Sequence, residues 1–371
     1  MKIGIITMHK VLNYGSALQA YATQYVIESF GYKCELIDYQ YGNKKEKKRS
    51  LKNRIIGFLI NILLGSSYSK KRKKFQQFYD DYFKLSNNRY ETKESIENNP
   101  PSYDIYCTGS DQVWNPRFVG DDSTFMLGFV KNNAPKISYA SSFATKTIPS
   151  ELKELYGKYL SEYSHISVRE HSNVSIIKEL TGKDSSVVCD PTILLSDKDW
   201  NYVLNLKRKT QKKKYILVYI LSYMYNPYPD IYKIINHVKK TLGYQVIYLG
   251  GRIMDSFHIN DKCIRSAGPT DFVELFKNAS FVITDSFHGS AFASIYGVPM
   301  LGVIKSMDSA DGRIPTLLKE VDAEKSIISY NKKINYSKDE LLSCKCNQEK
   351  LKDYRNNSKN ILYRIIKSID E

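Results

Sequence analysis

The sequence predicts an α/β protein with two domains, and three observations support this prediction. Phe281–Pro299 combines an apolar, β-rich run with a polar turn and the start of a helix. The opening of the chain, residues 2–39, has the same order of strand, loop and helix, followed by a second strand. At 371 residues, of which 42% are hydrophobic, the chain is long enough to form two cores.

Phe281–Pro299 is the segment that most clearly predicts a ligand-binding or catalytic site. We predict a strand at Phe281–Thr284, a turn at Asp285–Gly289 and a helix at Ser290–Tyr296, an order that places a ligand at the carboxyl end of the strand. Four residues of the turn and helix start can contact an anion such as phosphate or carboxylate: Ser286, His288, Gly289 and Ser290. His288 can also pass a proton as that anion leaves, and capping of the turn is its alternative role.

The loop after the first strand lacks the GxGxxG pattern, so a dinucleotide site is not supported. Asn13, Tyr14, Gly15 and Ser16 instead offer polar groups at a helix N-terminus, on the ligand-binding edge of the predicted sheet. Plain capping of that helix is the alternative explanation.

Tyr103–Pro116 reads as a strand followed by a Gly-Ser-Asp turn. This turn is followed by Gln112 and Trp114, close to Asp111. A flat apolar ring beside paired hydrogen-bond donors and acceptors is the composition that a sugar site needs. We therefore predict sugar contacts here, with packing of Trp114 as the alternative.

Arg169 follows another short predicted strand, where its guanidinium can hold an anion in a bidentate manner. A salt bridge to Glu170 or another acid is the alternative. The Asp-Pro pair after the strand that ends at Cys189 is a turn signal and a candidate domain edge. We predict an N-terminal domain at 1–200, a C-terminal domain at 201–345 and a final helix at 346–371.

The net charge of +16 is concentrated in one window. Between Lys44 and Lys74 there are twelve Lys or Arg residues and one acid. This pattern indicates a local basic patch and disfavours a protein that coats nucleic acid. The window also contains the apolar run Ile55–Leu64, which is too short to span a bilayer. It favours a helix lying on an anionic membrane surface, and a helix packed on its own domain is the alternative.

The six cysteines are scattered, and Cys107 and Cys189 lie in apolar runs typical of buried thiols in a reducing cytoplasm. Neither a signal peptide nor a segment of transmembrane length is expected, so we expect a cytoplasmic protein. We also expect no metal, because His and Asp show no ligand spacing.

Several motifs together resemble the polysaccharide pyruvyl transferase family, in order and across nearly the whole chain. They are NYGSALQAYA, YDIYCTGSDQVWNP, ISVRE, CDPTILL, GPTDFVELFKNASFVITDSFHG and the Lys305–Arg313 segment. The resemblance implies a GT-B-like pair of Rossmann-type domains facing a cleft. The basic window at 44–74 departs from the core pattern of the family. It bears on where in the cell the protein lies and not on the reaction.

The resemblance also implies a reaction. The family moves the enolpyruvyl group of phosphoenolpyruvate onto a glycan of a bacterial surface polysaccharide, such as a capsule or exopolysaccharide, forming a pyruvate ketal and releasing phosphate. By motif, its donor-binding residues fall on Arg169, His288 and Lys305. We expect the donor on the C-terminal domain and no cofactor. The acceptor is expected on the N-terminal domain, at Asn13, Tyr14, Asp111, Gln112 and Trp114. Asp111 and Asp285 are candidates for the base that activates the acceptor.

Two other functions remain open from the sequence. One is a GT-B glycosyltransferase that uses a nucleotide sugar, with the same helix N-terminus holding a diphosphate. The other is a non-catalytic, membrane-docked glycan-binding protein. If the basic window binds anionic lipid, we expect a peripheral protein at the inner face of the cell membrane, with a lipid-linked glycan as a possible acceptor.

Overall fold

A computed structural model describes residues 1–40, 51–206, 213–250, 261–307 and 312–371, and residues 51–64 only as part of a helix. The first seven residues of the predicted basic window, 44–50, therefore lie outside the described residues. Among the described residues, no helix combines the length and the apolar character needed to cross a bilayer.

The N-terminal half contains one five-stranded sheet, one two-stranded sheet and the helices around them. Its strands are β1 (Lys2–Ile6), β2 (Lys33–Tyr39), β3 (Leu85–Tyr90), β4 (Ile105–Thr108), β5 (Lys136–Ser138), β6 (Ser167–Val168) and β7 (Ser186–Val187). Its helices are α1 (Tyr14–Ser29), α2 (Leu51–Tyr82), α3 (Lys93–Asn98), α4 (Pro116–Val119), α5 (Ser150–Leu160), α6 (His171–Thr181), α7 (Pro191–Leu194) and α8 (Asp197–Val203).

The C-terminal half contains a six-stranded sheet and ends in a long helix. Its strands are β8 (Tyr215–Tyr219), β9 (Gln245–Leu249), β10 (Lys262–Ile264), β11 (Phe281–Thr284), β12 (Met300–Ile304) and β13 (Ile327–Ser329). Its helices are α9 (Ile231–Leu242), α10 (Pro269–Lys277), α11 (Phe287–Ile295), α12 (Arg313–Glu320), α13 (Lys338–Ser343) and α14 (Gln348–Asp370).

Both large sheets have the strand order of a Rossmann fold. The order is β3-β2-β1-β4-β5 in the first sheet and β10-β9-β8-β11-β12-β13 in the second, and the strand pairs are parallel. In such a sheet the strand order reverses next to the first strand, and ligands bind outside the carboxyl ends of the strands at that point. The predicted α/β class with two Rossmann-type parts is therefore confirmed. The exact domain boundaries at 200 and 345 stay predictions.

One apolar cluster joins the two halves. It includes α1, α7 and α8 on the N-terminal side and α10, α11 and α14 on the other. The rings of Tyr14 and Phe272 stack 4.8 Å apart, and those of Trp200 and Phe292 lie 5.3 Å apart. Since aromatic rings contribute large buried areas, this cluster fixes the position of one sheet relative to the other. Two further clusters fill the opposite faces of the sheets.

Helix α2 is longer than the sequence suggested, because it continues through the second basic cluster to Tyr82. Phe75, Phe78 and Tyr79 of its second half are buried in the joining cluster. Lys74 reaches the C-terminal half, where its Nζ donates a hydrogen bond of 2.7 Å to Asp271 on α10. The C-terminal end of the basic window thus packs on the protein itself.

Helix α11 begins earlier than predicted, at Phe287 rather than Ser290. Ser286 is the N-cap, and its Oγ accepts a hydrogen bond from the backbone of Gly289. His288 and Gly289 therefore belong to the first helical turn, where Ser at the N-cap is strongly preferred. The preceding strand, Phe281–Thr284, is confirmed with the predicted bounds.

Candidate active site

A cleft of about 750 Å³ lies where the carboxyl ends of the two sheets face each other. Its N-terminal wall comes from the segments after β1 and β4 and from α2. Its C-terminal wall comes from the segments after β8, β11 and β12. Its polar and charged lining residues are Asn13, Ser16, Asp111, Gln112, Asp285, Ser286, His288, Lys305, Ser306 and Arg313. These elements lie at the reversal points of both sheets, where ligands of doubly wound proteins bind.

His288 is the residue at which the two halves meet. Its ring packs directly on Gly15 in the first turn of α1, since a Cβ atom at Gly15 would lie 2.0 Å from Nδ1 of His288. On its other side, Nε2 lies 3.5 Å from Oδ2 of Asp190, which belongs to the N-terminal half. The side chain is nearly buried, at 9% exposed, yet it lines the cleft.

Asp190 is fully buried and caps α7. Its Oδ1 accepts hydrogen bonds from the backbone N–H and the hydroxyl of Thr192, at 3.0 and 2.6 Å. Its Oδ2 accepts from Nη1 of Arg169 at 2.7 Å and from Ser110 Oγ at 3.1 Å. Burial alone would raise the pKa of Asp190, but His288 and Arg169 lower that pKa well below its ordinary value. The carboxylate is therefore ionised beside His288.

Arg169 does not line the cleft, contrary to its predicted role as a direct anion clamp. The guanidinium is buried, pairs with both Asp190 and Glu170, and packs 4.5 Å from the centre of the Phe287 ring. The alternative, a salt bridge to Glu170, is thus present at 3.2 Å. Nη2 makes no hydrogen bond within the described residues. Arg169 supports Asp190 and Phe287 from behind the cleft.

Two cations line the cleft on the C-terminal side. Lys305 follows β12, and its side chain is exposed. Arg313 is the first residue of α12 and was not among the predicted site residues. The sequence signals for it were its place at the end of the Lys305–Arg313 motif of the family resemblance and at the start of a predicted helix. Together Lys305 and Arg313 give the C-terminal wall two positive charges beside the N-terminus of α11.

The N-terminal wall holds a short polar network. Asn13 caps α1, with its Oδ1 accepting from the backbone of Gly15 at 2.9 Å and of Ser16 at 3.3 Å, so the capping alternative holds. Ser16 Oγ donates to Oδ2 of Asp111 at 2.5 Å. Asp111 has a positive φ of 77°, a conformation that is costly for a residue other than glycine. Strained backbone conformations of this kind occur preferentially at functional sites.

Two predicted acceptor residues are in the wrong place for that role. Trp114 is fully buried, donates its Nε1–H to the carbonyl of Phe125 and packs 5.3 Å from the Phe143 ring. It therefore belongs to the core, because the turn after β4 points it inward. Tyr14 is 3% exposed and donates to the carbonyl of Ala267 in the joining cluster. Neither ring faces the cleft.

The remaining predicted residues differ in their access to the cleft. Gln112 and Ser286 line it, whereas Gly289 and Ser290 do not. A Cβ atom at Gly289 would lie 2.3 Å from Thr284 Oγ1, so this glycine allows α11 to pack tightly on β11. Ser290 is fully buried in the helix.

The two carboxylates considered as bases have different surroundings. Asp285 accepts hydrogen bonds from the backbone N–H groups of Leu221 and Ser222, at 2.6 and 2.9 Å, and so holds the loop after β8. Asp111 accepts from the Ser16 hydroxyl and from its neighbour Gln112. Both carboxylates line the cleft, and both already accept hydrogen bonds from the protein.

Comparison with known proteins decides the family. The family model described as polysaccharide pyruvyl transferase matches residues 13–304, which is most of the chain. This protein belongs to the polysaccharide pyruvyl transferase family. The family makes it a transferase of the pyruvyl transferase kind with a polysaccharide as acceptor. No curated protein matches the sequence significantly.

Solved structures with the same fold cover nearly the whole of this chain. UDP-GlcNAc 2-epimerase from Neisseria meningitidis bound to UDP-GlcNAc has a TM-score of 0.55 and 12% identity, with 99% of this chain and 100% of that chain covered. UDP-GlcNAc 2-epimerase from Methanocaldococcus jannaschii, in complex with UDP-GlcNAc and UDP, gives 0.51 and 13%, covering 99% and 100%. UGT89C1 from Arabidopsis thaliana, complexed with UDP-L-rhamnose, gives 0.52 and 9%, covering 98% of each chain. At these identities the likeness shows the fold alone, and that fold is GT-B-like.

The site of this pyruvyl transferase is suited to an anionic ligand on one side and a hydroxyl-bearing ligand on the other. Lys305, Arg313 and the helix N-terminus supply positive charge on the C-terminal wall. Asp111 and Gln112 supply hydrogen-bond acceptors and donors on the N-terminal wall. Within the described residues, no group of three or more His, Cys, Asp or Glu side chains could hold a metal ion.

Proposed function

We propose that this protein transfers the enolpyruvyl group of phosphoenolpyruvate to a glycan, forming a pyruvate ketal and releasing phosphate, in the synthesis of a bacterial surface polysaccharide. The observation that carries the proposal is the division of the cleft. One wall carries two cations and a helix N-terminus near His288, with Asp285 bonded to the loop after β8, and the other presents polar groups and the Asp111 carboxylate. Family membership supports the same reaction class.

The donor binds to the C-terminal wall in this proposal. Phosphoenolpyruvate carries a phosphate and a carboxylate, so its site needs several positive groups. Lys305 and Arg313 offer side-chain cations, and the first residues of α11 line the same cleft, so the positive end of that helix adds to their charge. With two cations, one can contact the phosphate and the other the carboxylate of phosphoenolpyruvate. The guanidinium of Arg313 can contact either group through two hydrogen bonds.

His288 supplies the proton in this proposal. A proton added to the methylene carbon of the donor gives a methyl group and leaves positive character on the adjacent carbon. One acceptor hydroxyl adds to that carbon and the C–O bond to phosphate breaks. A second hydroxyl then closes the ketal. Of the two hydroxyl protons lost, one replaces the proton delivered to carbon and the other leaves with phosphate.

Asp190 and Gly15 determine the position of the His288 ring for proton transfer. The ring is held between the Asp190 carboxylate, 3.5 Å from Nε2, and the first turn of α1. A ring held in this way has the fixed orientation that general acid–base catalysis requires. Asp111, beside the Ser16 hydroxyl, takes the role of acceptor-side base.

Release of phosphate from phosphoenolpyruvate tests the proposal. The full chain is incubated with phosphoenolpyruvate and a panel of methyl hexopyranosides, and inorganic phosphate and the ketal are measured by colorimetry and mass spectrometry. We expect phosphate and ketal in equal amounts, only when both substrates are present, and none with His288→Ala. Turnover of UDP-GlcNAc in place of phosphoenolpyruvate would instead support a nucleotide-sugar glycosyltransferase. Glycoside binding without any product would support a glycan-binding protein.

A further inference from the structure

We propose that Tyr68 and Tyr223 form the subsite that binds the sugar ring of the acceptor, one from each half of the chain. This inference rests on the proposed function, because it names where the glycan of that reaction lies. The sequence predicted sugar contacts at Trp114, but the ring of Trp114 is in the core. Tyr68 and Tyr223, whose rings face the cleft, take over that role in the proposal.

The part of the cleft around Tyr68 and Tyr223 differs from the rest in the exposure of its large apolar side chains. Within the described residues, Tyr68 is 52% exposed and Tyr223 is 63% exposed, whereas most tyrosines are packed. Both line the cleft together with Met224, which is 38% exposed. An exposed apolar surface that collects in a concave site marks a place where a ligand covers it.

Carboxylates lie beside these rings. The pKa of the Tyr223 phenol is raised above its ordinary value, first by partial desolvation and then by the nearby Tyr68, Asp285 and Asp111. Both rings line the same cleft as the carboxylates of Asp111 and Asp285. A pyranose ring has an apolar face of C–H groups and a rim of hydroxyls, so an aromatic face next to carboxylate acceptors matches both.

Helix α2 holds Tyr68 in position. Lys71, one turn further along, is half-buried with its Nζ 4.5 Å from the centre of the Tyr14 ring, and burial lowers the pKa of Lys71. Lys74 is bonded to Asp271 across the joining cluster. The guanidinium of Arg72 lies 5.4 Å from the centre of the Tyr68 ring. The helix is thus anchored to both halves just beyond Tyr68, which gives the ring a fixed place at the cleft.

Saturation-transfer NMR on the full chain tests the subsite. Methyl glucopyranoside, methyl galactopyranoside and methyl mannopyranoside are the probes, with uridine as the competing class. We expect transfer to the ring C–H protons of at least one glycoside. Tyr68→Ala and Tyr223→Ala should each weaken that binding roughly three- to tenfold, as expected for loss of one aromatic contact. Tyr68→Phe should keep it, because the ring face remains.

Tyr202→Ala is the matched control. Tyr202 is 83% exposed on α8 and does not line the cleft, so its loss should leave glycoside binding unchanged. Unchanged glycoside binding in both Tyr68→Ala and Tyr223→Ala overturns the subsite. Absence of transfer to all three glycosides in the unaltered protein, or transfer to uridine that alone depends on the two rings, overturns it as well.

A second measurement separates the subsite from the proposed reaction. If phosphate is released from phosphoenolpyruvate but Tyr68→Ala and Tyr223→Ala keep the same KM for the glycoside, the subsite is wrong and the reaction stands. If no phosphate is released but the glycoside signal still depends on both rings, the reaction is wrong and the subsite stands. The expected result is a raised glycoside KM, with the KM for phosphoenolpyruvate unchanged.

Discussion

Gly15 and His288 are in direct contact although they lie in different halves of the chain. A Cβ atom added to Gly15 would come within 2.0 Å of Nδ1 and 2.3 Å of Cγ of the imidazole. Real Cβ atoms do not approach ring atoms so closely, so only glycine fits at this point of α1. The first turn of α1 therefore determines where the His288 ring can lie.

Replacement of Gly15 by alanine should displace the His288 ring. Because a proton-transfer group must be held in a productive geometry, we expect Gly15→Ala to lower kcat by at least about 100-fold. The measurement is the initial rate of phosphate release from phosphoenolpyruvate with a glycan acceptor. A rate within about twofold of the unaltered protein would show that His288 is not the group positioned by Gly15.

A double variant provides the control for that prediction. In His288→Ala the ring is gone, so the new methyl group at position 15 finds space. Alanine is favoured over glycine in a helix by up to about 1 kcal/mol. We therefore expect Gly15→Ala to destabilise the protein in the presence of His288 and to be neutral or stabilising in the His288→Ala background. Thermal unfolding of the four proteins measures this coupling.

Replacement of Asp190 by asparagine should affect both stability and pH dependence. The change leaves the buried Arg169 without one of its two carboxylates, and breaking a buried ion pair costs about 3–5 kcal/mol. The pKa of Asp190 is lowered on folding, so its contribution to stability is complete above the unfolded pKa of about 3.9 and is lost as pH falls toward the lower folded value. The stability gap between the two proteins should therefore be constant near neutral pH and shrink below about pH 4.

Asp184→Asn is the matched control for Asp190→Asn. Asp184 pairs with Lys178 at 2.9 Å, but its side chain is 95% exposed. Exposed pairs contribute about 0–1 kcal/mol. Urea unfolding at several pH values should thus separate the two variants clearly at pH 7. Equal, small losses in both would contradict the buried network around Asp190.

Lys305→Ala should weaken the binding of phosphoenolpyruvate without destabilising the protein. Lys305 is exposed in the cleft, and a hydrogen bond to a charged group is worth about 1.5–3 kcal/mol. Calorimetry should show a loss of affinity in that range, with an unchanged unfolding temperature. Lys333→Ala, on an exposed part of the C-terminal half, is the control and should leave affinity unchanged. Unaltered affinity in Lys305→Ala would remove this lysine from the donor site.

The sequence was sufficient for the features that depend on local pattern. The strand Phe281–Thr284 is an apolar run bounded by polar residues, and it forms the buried β11. Cys107 and Cys189 lie in similar runs, and both are fully buried as predicted. The α/β order of elements follows from the same periodicity, because a buried parallel strand needs apolar residues on both faces.

The sequence was insufficient where a side chain depends on distant partners. Arg169 lies behind the cleft because it pairs with Asp190, and nothing local in its own strand indicates that partner. Trp114 has a polar neighbourhood in sequence but turns into the core, where its N–H finds the carbonyl of Phe125. The contact between Gly15 and His288 joins residues from opposite halves, so no local pattern predicts it.

The basic window divides into two parts with different expected roles. Lys71 and Lys74 contact Tyr14 and Asp271, so they hold α2 to the body of the protein. Lys70 and Lys73 are exposed. A test of membrane binding should therefore leave Lys71 and Lys74 in place, since removing them would disturb the joining cluster as well.

Membrane attachment through the apolar run Ile55–Leu64 and the exposed basic residues is the last prediction. Each Lys or Arg near an anionic surface contributes roughly 1 kcal/mol, and this attraction decays within a Debye length. We expect the protein to sediment with vesicles of equal parts phosphatidylglycerol and phosphatidylcholine at low salt, and to remain in the supernatant with phosphatidylcholine alone or at high salt. Changing Ile55, Phe58 and Leu59 to Ser, or Lys70 and Lys73 to Ser, should release it while phosphate release with a soluble glycoside persists. The matched control changes the exposed Lys332 and Lys333 to Ser and should still sediment. If the unaltered chain stays in the supernatant with anionic vesicles at low salt, the apolar run Ile55–Leu64 is not a membrane anchor and α2 acts only within the protein.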